Sequence, residues 1–585
     1  MTAIANAVAN LIAASKSKKL VILCGAGVSR GAPSNCPTAD ELINDILGHI
    51  MSEIGDEDGF RHINNMLVSS VYLFKTAPFE LFMSVIQKAL GFRLVEALQT
   101  LAVSRPNEMH AILSYIIENR LAKAVITTNF DSLIESCFLH KGDLLSDVTY
   151  DASKTSGTKL PRFMKIHGSM LDLSGNLIAR QTLCTTVDAI YKNRRDLLSD
   201  PFQAILSDAT VLVLGYRGAD RVDVMAALSR SDARRIYWVR HAPGECKETA
   251  PAISTEGLHD DVFHLFHIDR KDIRILHVGA RILLNNLTEG VGVPSDEIEK
   301  RTSQPSIDHE NRQRFRGFLM TPIFQKYAFL VSSYLLIWSG ISPAAAEFGL
   351  VKFIDDWGND EHKATAYALS HLSRLRFSQK DPDESERFAE YAIRLSFDIG
   401  DHYLACYALN TLANTHLKLR NNSERAIELF ERAAALSGRA GHHSMVSYSQ
   451  LNLASSYASL GQLADEERAL QLAASAAQSA GDFWLEGTAA QRLAMTDLKH
   501  GDADAALVRL LQTAEAIYLF GGGSHPDFAM AALVDPFSLE NGLVDAIGKL
   551  HGARGADFAR ASSILGRIDL GERVALKIKR AYGSG

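Results

Sequence analysis

Short runs of apolar, β-branched residues alternate with helix-like spacing through the first half of the chain, at residues 20–23, 124–127, 210–214 and 235–239. A strand with one wet face alternates apolar and polar residues, whereas these runs are apolar almost throughout. They predict a parallel sheet covered by helices on both faces, a doubly wound α/β domain. Between residues 290 and 305 glycine, proline, serine and acidic residues take over, a composition that predicts a linker. Beyond it the strand signal vanishes, and Ala- and Leu-rich helical patterns run from about 317 to 517.

The helical half is periodic. Leu372, Leu412, Leu453 and Leu493 are each followed by a small residue, at spacings of 40, 41 and 40 residues. Gly400, Gly441 and Gly481 recur in phase, each followed by a polar residue (Asp401, His442, Asp482) able to cap the next helix. Each unit reads as a helical hairpin, and residues 385–395, 423–436 and 465–477 place small and large apolar residues at helix-face spacing, so neighbours can stack into a solenoid. The pattern resembles tetratricopeptide repeats, with Ala413, Ala454 and Ala494 at close-packing positions. The usual period there is about 34 residues, so lengthened helices are expected. The expected division is 1–285 for the α/β domain, 286–316 for the linker, 317–520 for an all-α repeat domain and 521–585 for a helical cap or tail.

At 585 residues, with 47% hydrophobic and 22% charged side chains, the chain is long enough for two ordinary globular domains. A formal net charge of −7 makes no phosphate-coating surface, so nucleic acid is not an expected partner. The six cysteines, Cys24, Cys36, Cys137, Cys184, Cys246 and Cys406, form no C-x-x-C pair of the kind that holds zinc and read as reduced thiols. Without a secretory-type leader, this predicts a cytoplasmic protein. Residues 327–346 carry no charge and are long enough to cross a bilayer. Ser332, Ser333, Ser339, Gly340, Ser342 and Pro343 within them, and their place in a helical array, favour a core helix, so no membrane partner is expected.

Three local patterns carry candidate chemistry, each at the end of a predicted strand. Residues 21–29 read V-I-L-C-G-A-G-V-S, an apolar strand entering a glycine turn that lets a phosphate-bearing ligand approach the backbone. Arg30 stands where a dinucleotide fingerprint would place its third glycine, and Thr38 with Glu41 opens a helix instead. Thr128, Asn129, Phe130 and Asp131 follow the second run. Open α/β sheets build ligand sites at the carboxyl ends of their strands, so Asn129 and Asp131 can face a nucleotide; either can equally cap the next helix. Lys165-Ile166-His167-Gly168-Ser169 follows the short run 163–164. An imidazole there is a base suited to neutral pH or a structural side chain. His264 and His267 would point to opposite faces of a strand at 262–268, and His442 and His443 lie at a repeat turn, so no metal is expected.

G-A-G-x-S, T-T-N-F-D and K-x-H-G, in this order at successive strand ends, resemble the sirtuin-like domains of bacteria, especially those of NAD+-consuming antiphage defence proteins. The resemblance covers roughly residues 1–285. Residues 211–216, V-L-V-L-G-Y, followed by Asp220, are similar to the family's late glycine turn, although Arg217 stands where serine is usual. The resemblance implies a Rossmann-like, sirtuin-type domain, here without the four-cysteine zinc module of the deacetylases. It implies that Gly25, Ala26, Gly27 and Ser29 cradle the diphosphate, and that Asn129 and Asp131 hold the ribose and nicotinamide end. Thr128, Gly168, Gly215, Tyr216 and Asp220 complete the implied cofactor-binding set. Asn129 and His167 are the implied catalytic residues, the imidazole as base.

Residues 31–42 read G-A-P-S-N-C-P-T-A-D-E-L in place of the Asp-Phe-Arg run of deacetylases. With the zinc module also absent, water is the expected acceptor. The expected activity is NAD+ hydrolysis to ADP-ribose and nicotinamide, serving antiphage defence by NAD+ depletion. The repeats are expected to sense a phage or other protein trigger or to control assembly of a homo-oligomer. Protein deacylation or ADP-ribosylation is one alternative, and a non-catalytic NAD+ or ADP-ribose sensor is another.

Overall fold

The computed structural model describes residues 2–55, 79–99 except 92, 105–150, 161–249 with breaks at 185–188, 191–192, 194–195, 198, 219–222 and 243–246, then 272–303, 311–339 and 342–519. Most of the first 325 residues form one compact unit, and those from Lys326 onward another.

The apolar runs at 20–23, 124–127, 210–214 and 235–239 all lie in strands of a single sheet. Its members are β1 (Leu20–Cys24), β2 (Ala124–Thr127), β3 (Val148–Thr149), β4 (Phe163–Lys165), β5 (Thr210–Leu214), β6 (Arg235–Arg240), β7 (Lys247–Thr249) and β8 (Asp272–His277), in the order β3-β4-β2-β1-β5-β6-β8-β7. Pairing is parallel throughout except where β7 runs antiparallel to β8. Every residue of β1, β2 and β5 is buried, as expected of strands covered on both faces. Leu20, Ile22, Val125, Leu212 and Leu214 join one core with apolar residues of the helices Thr2–Lys16, Glu108–Glu118 and Ala280–Val291. Val21, Leu23, Ile126, Val211 and Val213 point the other way and are buried as deeply.

The register places Cys24 beside both Thr127 and Leu214, and Thr127 beside Lys165. The carboxyl ends of β4, β2, β1 and β5 therefore finish side by side. The chain builds outward from β1 through β2 and β4, then returns to the other side of β1 with β5. At such a reversal, beyond the carboxyl ends of the strands, α/β sheets commonly hold their ligands.

Within the composition shift at 290–305 the described residues are largely helical. Ala280–Val291 and Ser295–Thr302 are helices, and Asn311–Leu319 is a third. The first buries Leu283, Leu284 and Leu287. The second is polar, but Arg301 anchors it: the side chain is 3% exposed, pairs with Glu118, and donates to Ser114 Oγ and the Cys137 carbonyl, each at 3.3 Å. Composition counts apolar surface and so misses this buried guanidinium, which, with Ile298 packed against the core, holds the helix.

The second unit is helical, and its hairpins follow the sequence period. His362–Ser378, Pro382–Asp398, His402–Lys418, Ser423–Arg439, His443–Ser459, Leu463–Ala480, Phe483–His500 and Ala503–Leu519 are 17 or 18 residues each, which accounts for the long repeat. Gly400, Gly441 and Gly481 take positive φ at the turns, and Asp401 and Asp482 cap the next helices. Ala413, Ala454 and Ala494 are fully buried. Among the described residues no helix is long and apolar enough to cross a membrane. Residues 521–585 lie outside the described residues.

Candidate functional site

The glycines of the first and last motifs meet each other. Gly25 N–H donates to the Leu214 carbonyl at 2.9 Å, and Gly27 N–H to that of Gly215 at 2.8 Å. A Cβ on Gly27 would lie 2.7 Å from Gly215 Cα, and one on Gly25 2.7 Å from Tyr216 Cα. Gly215 has φ +60°, and a Cβ there would stand 2.6 Å from Val28 N. The backbone approach that these glycines permit is thus that of the two loops to one another. Tyr216 rests against Trp238, ring centroids 5.8 Å apart.

Ser29, at the end of this turn, collects three partners from distant segments. Its hydroxyl donates to Asp131 Oδ2 at 2.8 Å and accepts from Asn129 Nδ2 at 3.0 Å. His110 Nε2 lies 2.9 Å away. The tautomer of His110 follows from its other nitrogen, because Nδ1 accepts the Asn107 backbone N–H at 3.0 Å. The proton is therefore on Nε2 and points at Ser29. Asn107 and His110 form a capping box at the start of Glu108–Glu118, and Asn107 Nδ2 donates to the Val28 carbonyl at 2.8 Å. With the Ser29 proton directed at Asp131, the Asn129 amide must face Ser29 with its nitrogen. Its Oδ1 is left buried with no hydrogen-bond partner among the described residues.

Asp131 caps the next helix, Oδ1 accepting the Leu133 N–H at 3.2 Å at the start of Leu133–Ser136, while its Oδ2 holds Ser29. Thr128 N–H donates to the Cys24 carbonyl at 3.0 Å, tying the two strand ends. Ala26 is exposed on the turn.

The third motif lies on the neighbouring strand end. Gly168 has φ +83°, and a Cβ there would stand 2.0 Å from the Thr182 carbonyl oxygen, so only glycine fits. Met170 N–H donates to the Phe130 carbonyl at 3.0 Å, joining this loop to that of Asn129. Lys165 is fully buried, 2.8 Å from Glu135 Oε1, and its Nζ also donates to the Asp131 carbonyl. His167 is 4% exposed, and its Nε2 lies 2.8 Å from Asp223 Oδ2.

Gly25, Gly27, Ser29, Thr128, Asn129, Asp131, His167, Gly168, Gly215 and Tyr216 thus gather at one edge of the sheet, and Asp220 lies outside the described residues, as do His264 and His267. His110, Lys165 and Asp223 went unassigned in the sequence. Asn107 three residues before His110 is a capping spacing, and Asp223 is the second acid of D-R-V-D; neither pattern points to a partner far along the chain.

The surroundings of His110 also set its protonation. Complete burial, opposed by the charge of Asp131, holds its pKa at about 4 against an ordinary 6.5. A folded-state value below the unfolded one means that unfolding takes up a proton between those limits, so stability is lost as pH falls through that window. Between pH 7.5 and 4.5 His110 alone should remove roughly 2–3 kcal/mol. Hydrogen exchange of the β1 and β2 amides, compared between wild type and His110→Gln at both pH values, should show that difference. Equal pH slopes in the two proteins would refute it.

Residues 123–256 match the SIR2-like domain family, a segment that includes Asn129, His167, Gly215 and Asp223 but not the Gly25–Ser29 turn or His110. Three solved structures show weak similarity. BtubC from P. vanneervenii is 18% identical, over 42% of this chain and 92% of that one, with a TM-score of 0.31. The apo form of RapI is 15% identical, over 51% and 81%, with a TM-score of 0.29. A signal transduction ATPase with numerous domains and a tetratricopeptide repeat sensor, from Pyrococcus horikoshii, is 12% identical, over 98% and 89%, with a TM-score of 0.29. No curated protein matches. The chain therefore carries a SIR2-like segment within a mostly parallel sheet, followed by an all-helical repeat-like region.

Proposed function

We propose that the α/β unit binds NAD+ and cleaves the bond between its ribose and nicotinamide, passing the ADP-ribosyl group to water. The SIR2-like match supports an NAD-related activity, because domains of this kind use NAD. The observation that carries the reading is Asn129: an amide locked by Ser29, with a buried acceptor that has no partner among the described residues, beside the strand end that presents His167. Such an acceptor suits a ribose hydroxyl or a carboxamide N–H.

NAD+ brings a cationic nicotinamide as leaving group, so bond breaking develops positive charge on the sugar. Asn129 holds the sugar or the attacking water through Oδ1. His167 takes a proton from that water or from a ribose hydroxyl, making a weak nucleophile competent. Burial of Ser29, Asn129 and His167 keeps bulk water from competing. The repeat array is proposed to sense a phage or other protein trigger, or to set a homo-oligomeric assembly, so that a cytoplasmic effector of antiphage defence does not drain NAD+ continuously.

Purified full-length protein should be incubated with NAD+, alone and with lysate of phage-infected cells, and the products separated by chromatography. Equimolar nicotinamide and free ADP-ribose are expected. Label retained on protein would replace hydrolysis with transfer, and binding without release under both conditions would replace it with a sensor.

A further inference from the structure

A buried carboxylate outside the motifs touches the imidazole proposed as base. Asp223 is fully buried, and both its oxygens meet nitrogen groups. Oδ2 receives His167 Nε2 at 2.8 Å and Asn193 Nδ2 at 2.7 Å, and Oδ1 receives the Val224 backbone N–H at 2.6 Å. The Asn193 amide and the Val224 N–H can only donate, so both oxygens act as acceptors, which suits an ionised carboxylate facing a protonated His167 Nε2. We infer that Asp223 is a positioning residue for His167, holding the ring proton on Nε2 so that Nδ1 is the basic atom. A buried carboxylate in this place also stabilises the imidazolium formed when the base takes its proton.

A plain capping role would use only Oδ1, which meets Val224 at the start of Val224–Arg230. Oδ2 instead faces His167 and Asn193, so the side chain is fixed from the helix and from Asn193 independently of the ring it orients. His167 is fixed in turn by its own backbone, whose carbonyl accepts the Cys184 N–H at 2.9 Å. Two rigidly mounted partners at 2.8 Å make the ring orientation a property of the folded protein, present before any ligand arrives.

The inference rests on the hydrolytic reading for its kinetic part only, so two measurements are combined. Full-length protein labelled with 15N-histidine reports the tautomer of His167, its resonance assigned by loss in His167→Gln. Wild type should carry the proton on Nε2 at neutral pH. Asp223→Asn offers one acceptor oxygen to three donors, so the ring proton should move to Nδ1. In the same variant kcat for NAD+ should fall roughly 10²- to 10⁴-fold with KM within about threefold. A wild-type ring protonated on Nδ1 overturns the inference without any variant, as does an unchanged tautomer or undiminished kcat in Asp223→Asn. If the tautomer moves as expected while wild type releases no nicotinamide, the hold on His167 stands and the hydrolytic reading fails.

Discussion

Asn129→Ala should lower NAD+ turnover roughly 10²- to 10³-fold, about 3–4 kcal/mol of transition-state stabilisation, while leaving the α/β unit as stable as before. The two effects separate because of how the amide is used in the ligand-free protein. The Nδ2 bond to Ser29 contributes about 1 kcal/mol, whereas burying Oδ1, which has no partner among the described residues, costs about 1–3 kcal/mol. Truncation removes both, so the net change in stability is near zero or slightly favourable. The ligand complex loses the bond that Oδ1 was held ready to make. His167→Ala should match it in activity, since proton acceptance contributes 10²- to 10⁴-fold in comparable sites. Nicotinamide release and hydrogen exchange measured on the same preparations decide the matter. Turnover within tenfold of wild type would remove Asn129 from the chemistry, and a large stability loss would mean that its amide is structural.

The sheet was legible because parallel strands announce themselves: Val21–Ile22–Leu23 and Val211–Leu212–Val213 are apolar on both faces, and few other structures need that. The glycine positions were legible for the same local reason, since Gly168 and Gly215 take φ values that only glycine adopts easily. Partnerships were not. Ser29 and His110 are 81 residues apart, and nothing in an amphipathic helix marks the histidine that will reach a serine on another loop. The carboxylate beside His167 proved to be Asp223, a choice that depends on how the chain turns after β5. Composition likewise hides how Ser295–Thr302 is held, since Arg301 is buried against Glu118, Ser114 and the Cys137 carbonyl, partners that lie far along the chain.

Lys165→Met should destabilise the α/β unit by about 3–5 kcal/mol, because it strands a carboxylate in the interior. Lys165 and Glu135 are both essentially inaccessible, and their 2.8 Å contact is a buried ion pair. Burial pushes the Glu135 carboxyl above its ordinary range even with the ammonium beside it, and its second oxygen has no partner among the described residues. Without Lys165 the carboxyl must be protonated in the folded state, raising its pKa further. A folded-state pKa above the unfolded one gives stability that is present at low pH and lost as pH rises through the folded value. The deficit of Lys165→Met should therefore be larger at pH 7.5 than at pH 5. The double variant Lys165→Met/Glu135→Leu should return to within about 1 kcal/mol of wild type, since apolar replacement of a whole buried pair is often neutral. Opening free energies of the β2 and β4 amides by hydrogen exchange in wild type, Lys165→Met, Glu135→Leu and the double variant complete this cycle. A double variant as unstable as Lys165→Met would show that the ammonium acts chiefly through the Asp131 carbonyl, as the tie between the Asn129 and His167 loops.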